Sequence, residues 1–212
     1  MKYIIMCGGN YDKWQTPRQL TKIKGEPLVA RTIRLLRQNA VEDIAISSNS
    51  PLFEQFGVEV LKHQNDFHVS EGCESGTWVN AFYPMTSPVC YLFGDVVYSP
   101  EAIRKIVETD TESVQFFASA KPFPLIYPKR WAEPFAFKVR DMAHFFESVE
   151  MVKKLDKLGM FKRPPIAWEL WQVIKGTELN HIVYTNYYVI NDYTCDIDVP
   201  EDIKYFEQIE TI

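Results

Sequence analysis

The sequence predicts an α/β fold with a mixed, mainly parallel sheet, because two apolar patterns alternate along its first 118 residues. Short continuous apolar runs are typical of strands buried on both faces, and apolar residues at helical spacing indicate amphipathic helices. Parallel strands joined by right-handed crossover helices produce such an alternation. The predicted strands are residues 3–6, 43–47, 58–61, 89–93 and 114–118.

Proline and glycine mark the boundaries of these elements. Proline is favoured in the first turn of a helix, and Pro27 and Pro100 each stand where a predicted helix begins. Another helix is predicted from Trp78, and glycines follow the apolar runs 3–6 and 89–93. In the helix after Pro27, three arginines lie opposite the apolar face and are expected to be solvated: Arg31, Arg34 and Arg37.

The pattern changes after residue 118. Prolines at 122, 124 and 128 favour a loop or lobe over a helix. No repeat or linker is visible, so we expect one domain with an N-terminal half, residues 1–118, and a C-terminal half, residues 119–212. The C-terminal half is predicted to contain strands at 135–139, 182–184 and 187–190 and helices at 142–158, 166–174 and 200–209.

Composition excludes several functional classes. The chain has 212 residues, of which 46% are apolar and 14% aromatic, and this is too rich in core-forming residues for a disordered protein. The 23 basic and 28 acidic residues give a net charge of −5, which argues against a nucleic-acid partner bound through its phosphates. No apolar run approaches the roughly 18 residues of a membrane span, so no membrane partner is expected.

The cysteines favour a reducing compartment. Cys7, Cys73, Cys90 and Cys195 are widely spaced and form neither a CxxC pair nor a zinc-site pattern. We expect them to be reduced, with Cys7 and Cys90 inside strands. The first residues lack the long apolar core and the cleavage site of a signal peptide, so we expect a cytoplasmic protein.

Glycines and cations after the first strand predict an anion-binding loop. Gly8 and Gly9 allow backbone N–H groups to approach an anion closely, and Lys13 and Arg18 follow as cations that could hold a polyphosphate. The motifs GxGxxG and GxxxxGK[ST] are absent, so the loop is neither a dinucleotide fingerprint nor a P-loop. An ordinary glycine turn is the alternative.

Carboxylates at two places predict a metal site. Asp95 follows the strand at 89–93, at the edge where open α/β sheets place their ligands. A turn aspartate bonded to its own backbone is the alternative for Asp95. Asp196 and Asp198 stand two residues apart, so in an extended segment both project from one face, and Mg²⁺ prefers such oxygen ligands.

Asp198 has a second interpretation. The segment Asp198-Val199-Pro200-Glu201 fits a capping box that opens the last helix. Glu201 and Asp202 are expected to be first-turn residues that the helix dipole favours. Asp196 has no capping role by spacing and is therefore the better candidate ligand.

Three segments in this order resemble the sugar-phosphate nucleotidylyltransferases of the GT-A type. The first, residues 7–28, contains CGG, PRQL and KGEPL and is similar to the family's glycine-rich loop, its PKxL motif and its Gly-x-Pro helix start. The second, residues 92–95, reads LFGD and resembles the strand end that carries the family's metal-binding aspartate. The third, residues 196–202, reads DIDVPED and resembles a segment shared with cytidylyltransferases and molybdenum-cofactor nucleotidylyltransferases.

The resemblance implies a three-layer Rossmann-like fold with a nucleotide-binding N-terminal half and an acceptor-binding C-terminal half. It also implies transfer of a nucleoside monophosphate from a nucleoside triphosphate, with CTP favoured, to a phosphorylated sugar, polyol or alcohol. The implied catalytic residues are Lys13, Arg18 and Asp95. The implied nucleotide-binding residues are Cys7, Gly8, Gly9, Lys13, Arg18, Gly76 and Thr77. The implied ligands of Mg²⁺ are Asp95, Asp196 and Asp198.

The sequence departs from the family pattern at three positions. Tyr11 replaces the second glycine of GxG, Lys13 stands at the usual arginine position, and Arg18 stands at the PK lysine position. Both cationic positions keep their charge. Arginine presents a planar fork and lysine a compact point charge, so the phosphate contacts are expected to differ in detail.

Other polar and aromatic side chains are expected to lie outside the phosphate and metal sites. Lys121, Lys129, Arg130 and Glu133 fall in the irregular middle, where members of the family vary to select their second substrate. Trp168 and Trp171 are expected in the core. The histidines are expected to be structural or exposed: His63, His68, His144 and His181.

Two rival functions remain open. A GT-A glycosyltransferase would consume a nucleotide sugar, but such enzymes usually carry DxD at the end of the central strand, and this chain has one carboxylate in GDVV. A non-catalytic nucleotide-binding domain is the second rival. Many relatives of the family are dimers, so a homodimer is a further possibility.

Overall fold

The computed structural model describes residues 1–8, 14–62, 78–120 and 132–210, and these form an α/β structure. Its strands and α-helices are β1 (Lys2–Met6), β2 (Lys22–Ile23), β3 (Glu26–Pro27), α1 (Leu28–Gln38), β4 (Ile44–Ser47), β5 (Glu59–Leu61), β6 (Val89–Phe93), β7 (Val96–Val97), α2 (Pro100–Glu108), β8 (Val114–Ser119), β9 (Pro134–Val139), α3 (Met142–Lys157), α4 (Ala167–Lys175), β10 (Tyr188–Ile190), β11 (Cys195–Asp196) and α5 (Ile203–Glu207). Short 3₁₀ helices span Arg18–Leu20, Pro51–Phe56, Trp78–Ala81 and Pro200–Asp202.

Seven of the strands form one sheet in the order β10-β8-β9-β6-β1-β4-β5. Strands β5, β4, β1 and β6 are parallel to one another, and β10 is parallel to β8. Strand β9 lies between β6 and β8 and is antiparallel to both. The sheet is therefore mixed and mainly parallel, as the sequence predicts, and it takes strands from both halves of the chain.

One face of the sheet is covered by α3 and α4 through an aromatic core. Phe137 of β9 stacks on Phe116 of β8 with ring centroids 4.5 Å apart, and it also contacts Phe145 of α3. From α4, Trp168 and Trp171 pack edge-on or tilted against Phe116. Both tryptophans are 2% exposed, so their predicted place in the core is confirmed.

The other face of the sheet is covered by helix α2. Side chains alternate along a strand, so Lys138 points away from the aromatic core. Its buried ammonium donates hydrogen bonds to three carbonyls at the end of α2, those of Ile106 (3.1 Å), Val107 (2.8 Å) and Thr109 (2.6 Å). With helices on both faces, the structure has the three layers that the resemblance implies.

Helix α1 packs beside α2, and its arginines are not all solvated. The expectation is wrong for Arg31, which is 4% exposed. Its guanidinium donates to the carbonyl of Tyr98 and to the hydroxyl of Tyr193. Sequence spacing gave no indication of these partners, because both lie far along the chain.

A second, smaller core ties the C-terminal segment to the N-terminal half. Residues of β7, β11 and α5 meet there with residues from β2 and the start of α1. The buried members are Ile23, Leu28, Val97, Cys195, Ile197 and Phe206. This core holds residues 195–207 against the strand end that carries Asp95.

Two predicted elements differ in the structure. Residues 182–184 form no strand, although Tyr188–Ile190 do. The last helix is a 3₁₀ turn followed by the short α5, where the sequence predicts one helix over 200–209.

Cys7, Cys90 and Cys195 are buried and form no disulfide, and Cys73 lies outside the described residues. Within the described ranges, no helix is long and apolar enough to cross a membrane.

The Lys138 contacts generate a stability prediction. We expect Lys138→Met to lower the free energy of unfolding by about 2 kcal/mol, because the carbonyls at the end of α2 lose a charged donor that water cannot readily replace. Chemical denaturation of the variant measures this loss. Lys105→Met, on α2 itself, makes the same charge change at a partly exposed site and is the control, with an expected effect within about 0.5 kcal/mol. Equal stabilities of the two variants would contradict the assigned role.

Candidate active site

Three strand ends meet at one edge of the sheet. Cys7 and Gly8 follow β1, and Gly94 and Asp95 follow β6. Because β9 runs in the opposite direction, the residue before its start, Glu133, lies at this same edge. The edge therefore carries both predicted anion-binding residues and carboxylates.

Gly94 is required by the close approach of two strand ends. Its N–H donates to the carbonyl of Met6 at 3.1 Å. A Cβ at this position would lie 2.5 Å from the Met6 carbonyl oxygen and 2.9 Å from the Cys7 Sγ, which is closer than real Cβ contacts allow. The glycine of the GD pair thus allows Asp95 to follow β6 directly beside the end of β1.

The C-terminal carboxylate segment reaches this edge through backbone pairing. Strand β11 is antiparallel to β7, with Asp196 opposite Val96. One residue on, the N–H of Ile197 donates to the carbonyl of Asp95 at 3.0 Å. Residues 196–198 therefore lie alongside the strand end that carries Asp95.

A buried polar network holds the chain just before β11. The Ser99 N–H donates to Thr194 Oγ1 at 2.9 Å, and the Ser99 hydroxyl donates to the Asp192 carboxylate at 2.7 Å. Asp192 in turn accepts from the N–H of Thr194 at 2.8 Å. Since Ser99 is also the N-cap of α2, this network attaches the C-terminal segment to a helix of the N-terminal half.

Three carboxylates converge at this edge. One oxygen each of Glu133, Asp196 and Asp198 lies within 4.8 Å of the others. Glu133 is 6% exposed, and its backbone is held by Ser119, whose hydroxyl accepts from the Glu133 N–H at 2.8 Å and whose N–H donates to the Glu133 carbonyl at 2.8 Å. Three carboxylate oxygens are a donor set that suits a hard divalent cation such as Mg²⁺.

Asp95 is paired with Arg18. The Arg18 guanidinium forms an ion pair with the Asp95 carboxylate, and its Nη1 donates to the carbonyl of Ile197 at 3.1 Å. The same Nη1 lies 3.7 Å from Asp198 Oδ1. The structure thus brings Arg18, Asp95 and Asp198 together, whereas metal binding by Asp95 and triphosphate binding by Arg18 stay predictions.

The first strand end contributes a buried thiol and one described glycine. Cys7 is 3% exposed, and burial, with a smaller contribution from the Asp95 charge, raises the pKa of its thiol well above the ordinary value. The thiol is thus unsuited to act as a nucleophile. The amide of Gln19 donates to the Gly8 carbonyl at 3.5 Å.

Several predicted residues lie outside the described part of the chain. They are Gly9, Tyr11, Lys13, His63, His68, Gly76, Thr77, Lys121, Lys129 and Arg130. Of the remaining histidines, His181 is exposed and His144 contacts the carbonyl of Ile174 at 3.3 Å.

The capping interpretation of Asp198 is wrong. The N-cap of the 3₁₀ turn is Val199, one residue later, because Pro200 occupies its first position. The carboxylate that bonds the backbone here belongs to Asp202, which accepts from the N–H groups of Asp198 and Val199. Asp198 is exposed, and its Oδ1 lies 3.7 Å from Arg18 Nη1.

Sequence reasoning placed Glu133 in the acceptor region and missed its place in the carboxylate cluster. The residue stands directly before a strand, at a Glu-Pro pair. Its position at the ligand edge follows only once β9 is known to be antiparallel, and no local pattern gives the direction of a strand. The Glu-Pro pair indicates only that Glu133 precedes a strand.

Comparison with known proteins identifies the family of this chain. The sequence matches the family described as MobA-like NTP transferase domain over residues 3–144. No curated protein matches the chain. Similar solved structures include a protein assigned as a glucose-1-phosphate thymidylyltransferase from Bacillus anthracis, with a TM-score of 0.62, 15% identity and coverage of 97% of this chain and 93% of that one.

Two further solved structures have a similar fold. HddC from Yersinia pseudotuberculosis, complexed with GMP-PN, has a TM-score of 0.56 and 16% identity, with 98% of each chain covered. The CTP:phosphocholine cytidylyltransferase LicC from Streptococcus pneumoniae has a TM-score of 0.55 and 15% identity, with 98% of this chain and 97% of that one covered. The match over residues 3–144 covers more than half of the chain, and the chain therefore belongs to the MobA-like NTP transferase domain family and is a nucleotidyltransferase.

Proposed function

We propose that the protein transfers a nucleoside monophosphate from a nucleoside triphosphate to a phosphorylated small molecule and releases pyrophosphate. The observation that carries the proposal is the convergence of Glu133, Asp196 and Asp198 beside Arg18 at the ligand edge of the sheet. Carboxylates for a divalent cation next to a fixed positive charge are what a polyphosphate substrate requires.

The chemistry needs little from the protein beyond position and charge. An oxygen of the acceptor phosphate attacks the α-phosphorus of the triphosphate, and the bond from that phosphorus to the pyrophosphate oxygen breaks. The acceptor phosphate is already anionic, so no side chain has to remove a proton from it. The barrier is lowered by alignment of the two substrates and by stabilisation of the phosphate charge.

Glu133, Asp196 and Asp198 would hold Mg²⁺, which supplies charge neutralisation at the phosphates. Arg18 is 11% exposed in its side chain and is held in place by Asp95, so it would act as a preorganised cation at the border of the carboxylate cluster. Lys13 and the N–H groups of Gly8 and Gly9 would bind the triphosphate, as the sequence predicts. Asp95 forms an ion pair with Arg18, so its proposed role is to hold Arg18 in position.

The nucleotide and the acceptor are proposed from resemblance. The DIDVPED segment favours CTP, and GTP comes next. Among the similar folds, one is a CTP:phosphocholine cytidylyltransferase and another was complexed with GMP-PN. The acceptor would be a phosphorylated sugar, polyol or alcohol bound by the C-terminal half of one domain, in a cytoplasmic enzyme.

The first functional prediction concerns turnover itself. Pyrophosphate release should appear with one nucleoside triphosphate, CTP first, when Mg²⁺ and a suitable phosphorylated acceptor are both present. A panel of the four triphosphates against sugar, polyol and alcohol phosphates measures this. Release of a nucleoside diphosphate from a nucleotide sugar would instead indicate a glycosyltransferase, and nucleotide binding without either reaction would indicate a binding domain.

The second prediction concerns the carboxylate cluster. Glu133→Gln and Asp196→Asn should each lower turnover by at least ~10²-fold, about 2.7 kcal/mol of transition-state stabilisation, and raise the Mg²⁺ concentration needed for half-maximal rate. Melting temperatures should not fall, because the amides keep the size of each side chain and remove a like charge from the cluster. Glu147→Gln, an exposed glutamate of α3, is the matched control. Wild-type turnover of Asp196→Asn at limiting Mg²⁺ would refute the proposed ligand set.

The third prediction separates Asp95 from the cluster. Asp95→Asn removes the charge that holds Arg18, so turnover should fall by at least ~10²-fold while the Mg²⁺ requirement stays at the wild-type value. Mg²⁺ titrations of the rate measure both quantities. A raised Mg²⁺ requirement would return Asp95 to the ligands, and unchanged turnover would remove it from the site.

A further inference from the structure

Several contacts hold the backbone of the segment that carries Asp196 and Asp198. Asp196 is paired with Val96 across β11 and β7. The N–H of Ile197 donates to the Asp95 carbonyl at 3.0 Å, and its carbonyl accepts from Arg18 at 3.1 Å. The next two N–H groups, those of Asp198 and Val199, both donate hydrogen bonds to one side chain.

That side chain is Asp202. Its Oδ2 accepts from the Asp198 N–H at 2.8 Å and from the Val199 N–H at 3.0 Å. Asp202 is 7% exposed, so these bonds form out of bulk water, where a charged acceptor holds a backbone donor most firmly. The carboxylate thereby ties the end of the extended segment to the 3₁₀ turn that follows it.

The two hydrogen bonds to Asp202 fix the backbone from which the Asp198 carboxylate projects. Residues two apart in an extended segment project from one face, which places Asp196 and Asp198 on the same side. The chain is still extended directly after Asp198, because Val199 has φ −135° and ψ 156°. The chain turns into the 3₁₀ helix immediately afterwards, at Pro200. Asp198 has a half-exposed side chain, so the position of its backbone governs its approach to Asp196 and Glu133.

We propose that Asp202 is a positioning residue of the metal site, which holds the backbone of Asp198 so that its carboxylate stays with those of Asp196 and Glu133. The inference rests on the proposed metal-dependent function and adds to it a residue that touches neither metal nor substrate. Side chains that orient metal ligands typically change metal affinity by about 10- to 100-fold when they are removed.

The test measures metal binding by the folded protein without turnover. Mn²⁺ replaces Mg²⁺ as the probe, and electron paramagnetic resonance gives its dissociation constant at a temperature well below the melting transition of every variant. Asp202→Ala should raise the Mn²⁺ dissociation constant by about 10-fold or more. Asp202→Asn keeps an acceptor oxygen for the two N–H groups, so its dissociation constant should lie closer to wild type than to Asp202→Ala.

Glu201→Ala is the matched control. Glu201 is the exposed neighbour in the same turn, and its removal changes the net charge by the same amount without touching the Asp198 backbone. Its Mn²⁺ dissociation constant should equal that of the wild type. An equal rise in both alanine variants would indicate a general charge effect and overturn the inference.

A purely structural role for Asp202 gives a different result. In that case Asp202→Ala would melt at a lower temperature but bind Mn²⁺ as the wild type does, and this outcome overturns the inference. Steady-state rates give a second readout: the Mg²⁺ requirement of Asp202→Ala should rise, while its rate at saturating Mg²⁺ should recover, because all three carboxylates remain.

The proposed function can fail separately. A wild-type protein that binds Mn²⁺ but releases no pyrophosphate with any substrate pair would refute the function, and the Mn²⁺ dissociation constants would still decide the role of Asp202. A wild-type protein that binds no Mn²⁺ would overturn the metal site and, with it, this inference.

Discussion

The candidate site depends on the pairing of two very short strands, β7 and β11. Their pairing joins the segment after the central strand β6 to the C-terminal segment that begins at Cys195. The pairing is shielded from water, because Val96, Val97 and Cys195 are all buried. Water competes poorly for buried backbone bonds, so a pair of two-residue strands can hold its register. Asp95 stands at one side of this pairing and Asp196 at the other, and loss of the pairing would separate the carboxylates that the rest of the fold brings together.

The convergence of these carboxylates works against folding. Like charges within 4.8 Å of one another repel, so these three carboxylates are unfavourable together in the absence of cations. Arg18 offsets part of this repulsion from its place 3.7 Å from Asp198. Backbone bonds that do not depend on these charges hold the segment in position, and a bound divalent cation would relieve what repulsion remains.

Local sequence was sufficient for some parts of this structure and insufficient for others. The buried strands β1 and β6 and the segment that carries Asp196 and Asp198 follow from short apolar runs, glycines and motif resemblance. Glu133 and Lys138 were not predictable as functional or structural anchors, because their surroundings depend on β9 lying antiparallel between β6 and β8. The exact start of the last helical segment was also missed: the N-cap is Val199, and Asp202, rather than Asp198, accepts the backbone N–H bonds at this turn.

The position of Arg18 gives a physical reason for one departure from the family pattern. At the lysine position of the PKxL motif that residues 17–20 resemble, this chain has an arginine whose two terminal nitrogens contact different partners: Nη2 pairs with the Asp95 carboxylate and Nη1 donates to the Ile197 carbonyl. A guanidinium holds these donors in a rigid plane, whereas a lysine would have to serve both partners from a single nitrogen. The arginine therefore links the end of β6 directly to the C-terminal carboxylate segment. It keeps a positive charge at this position and adds a bridge between the two parts of the chain that build the candidate site.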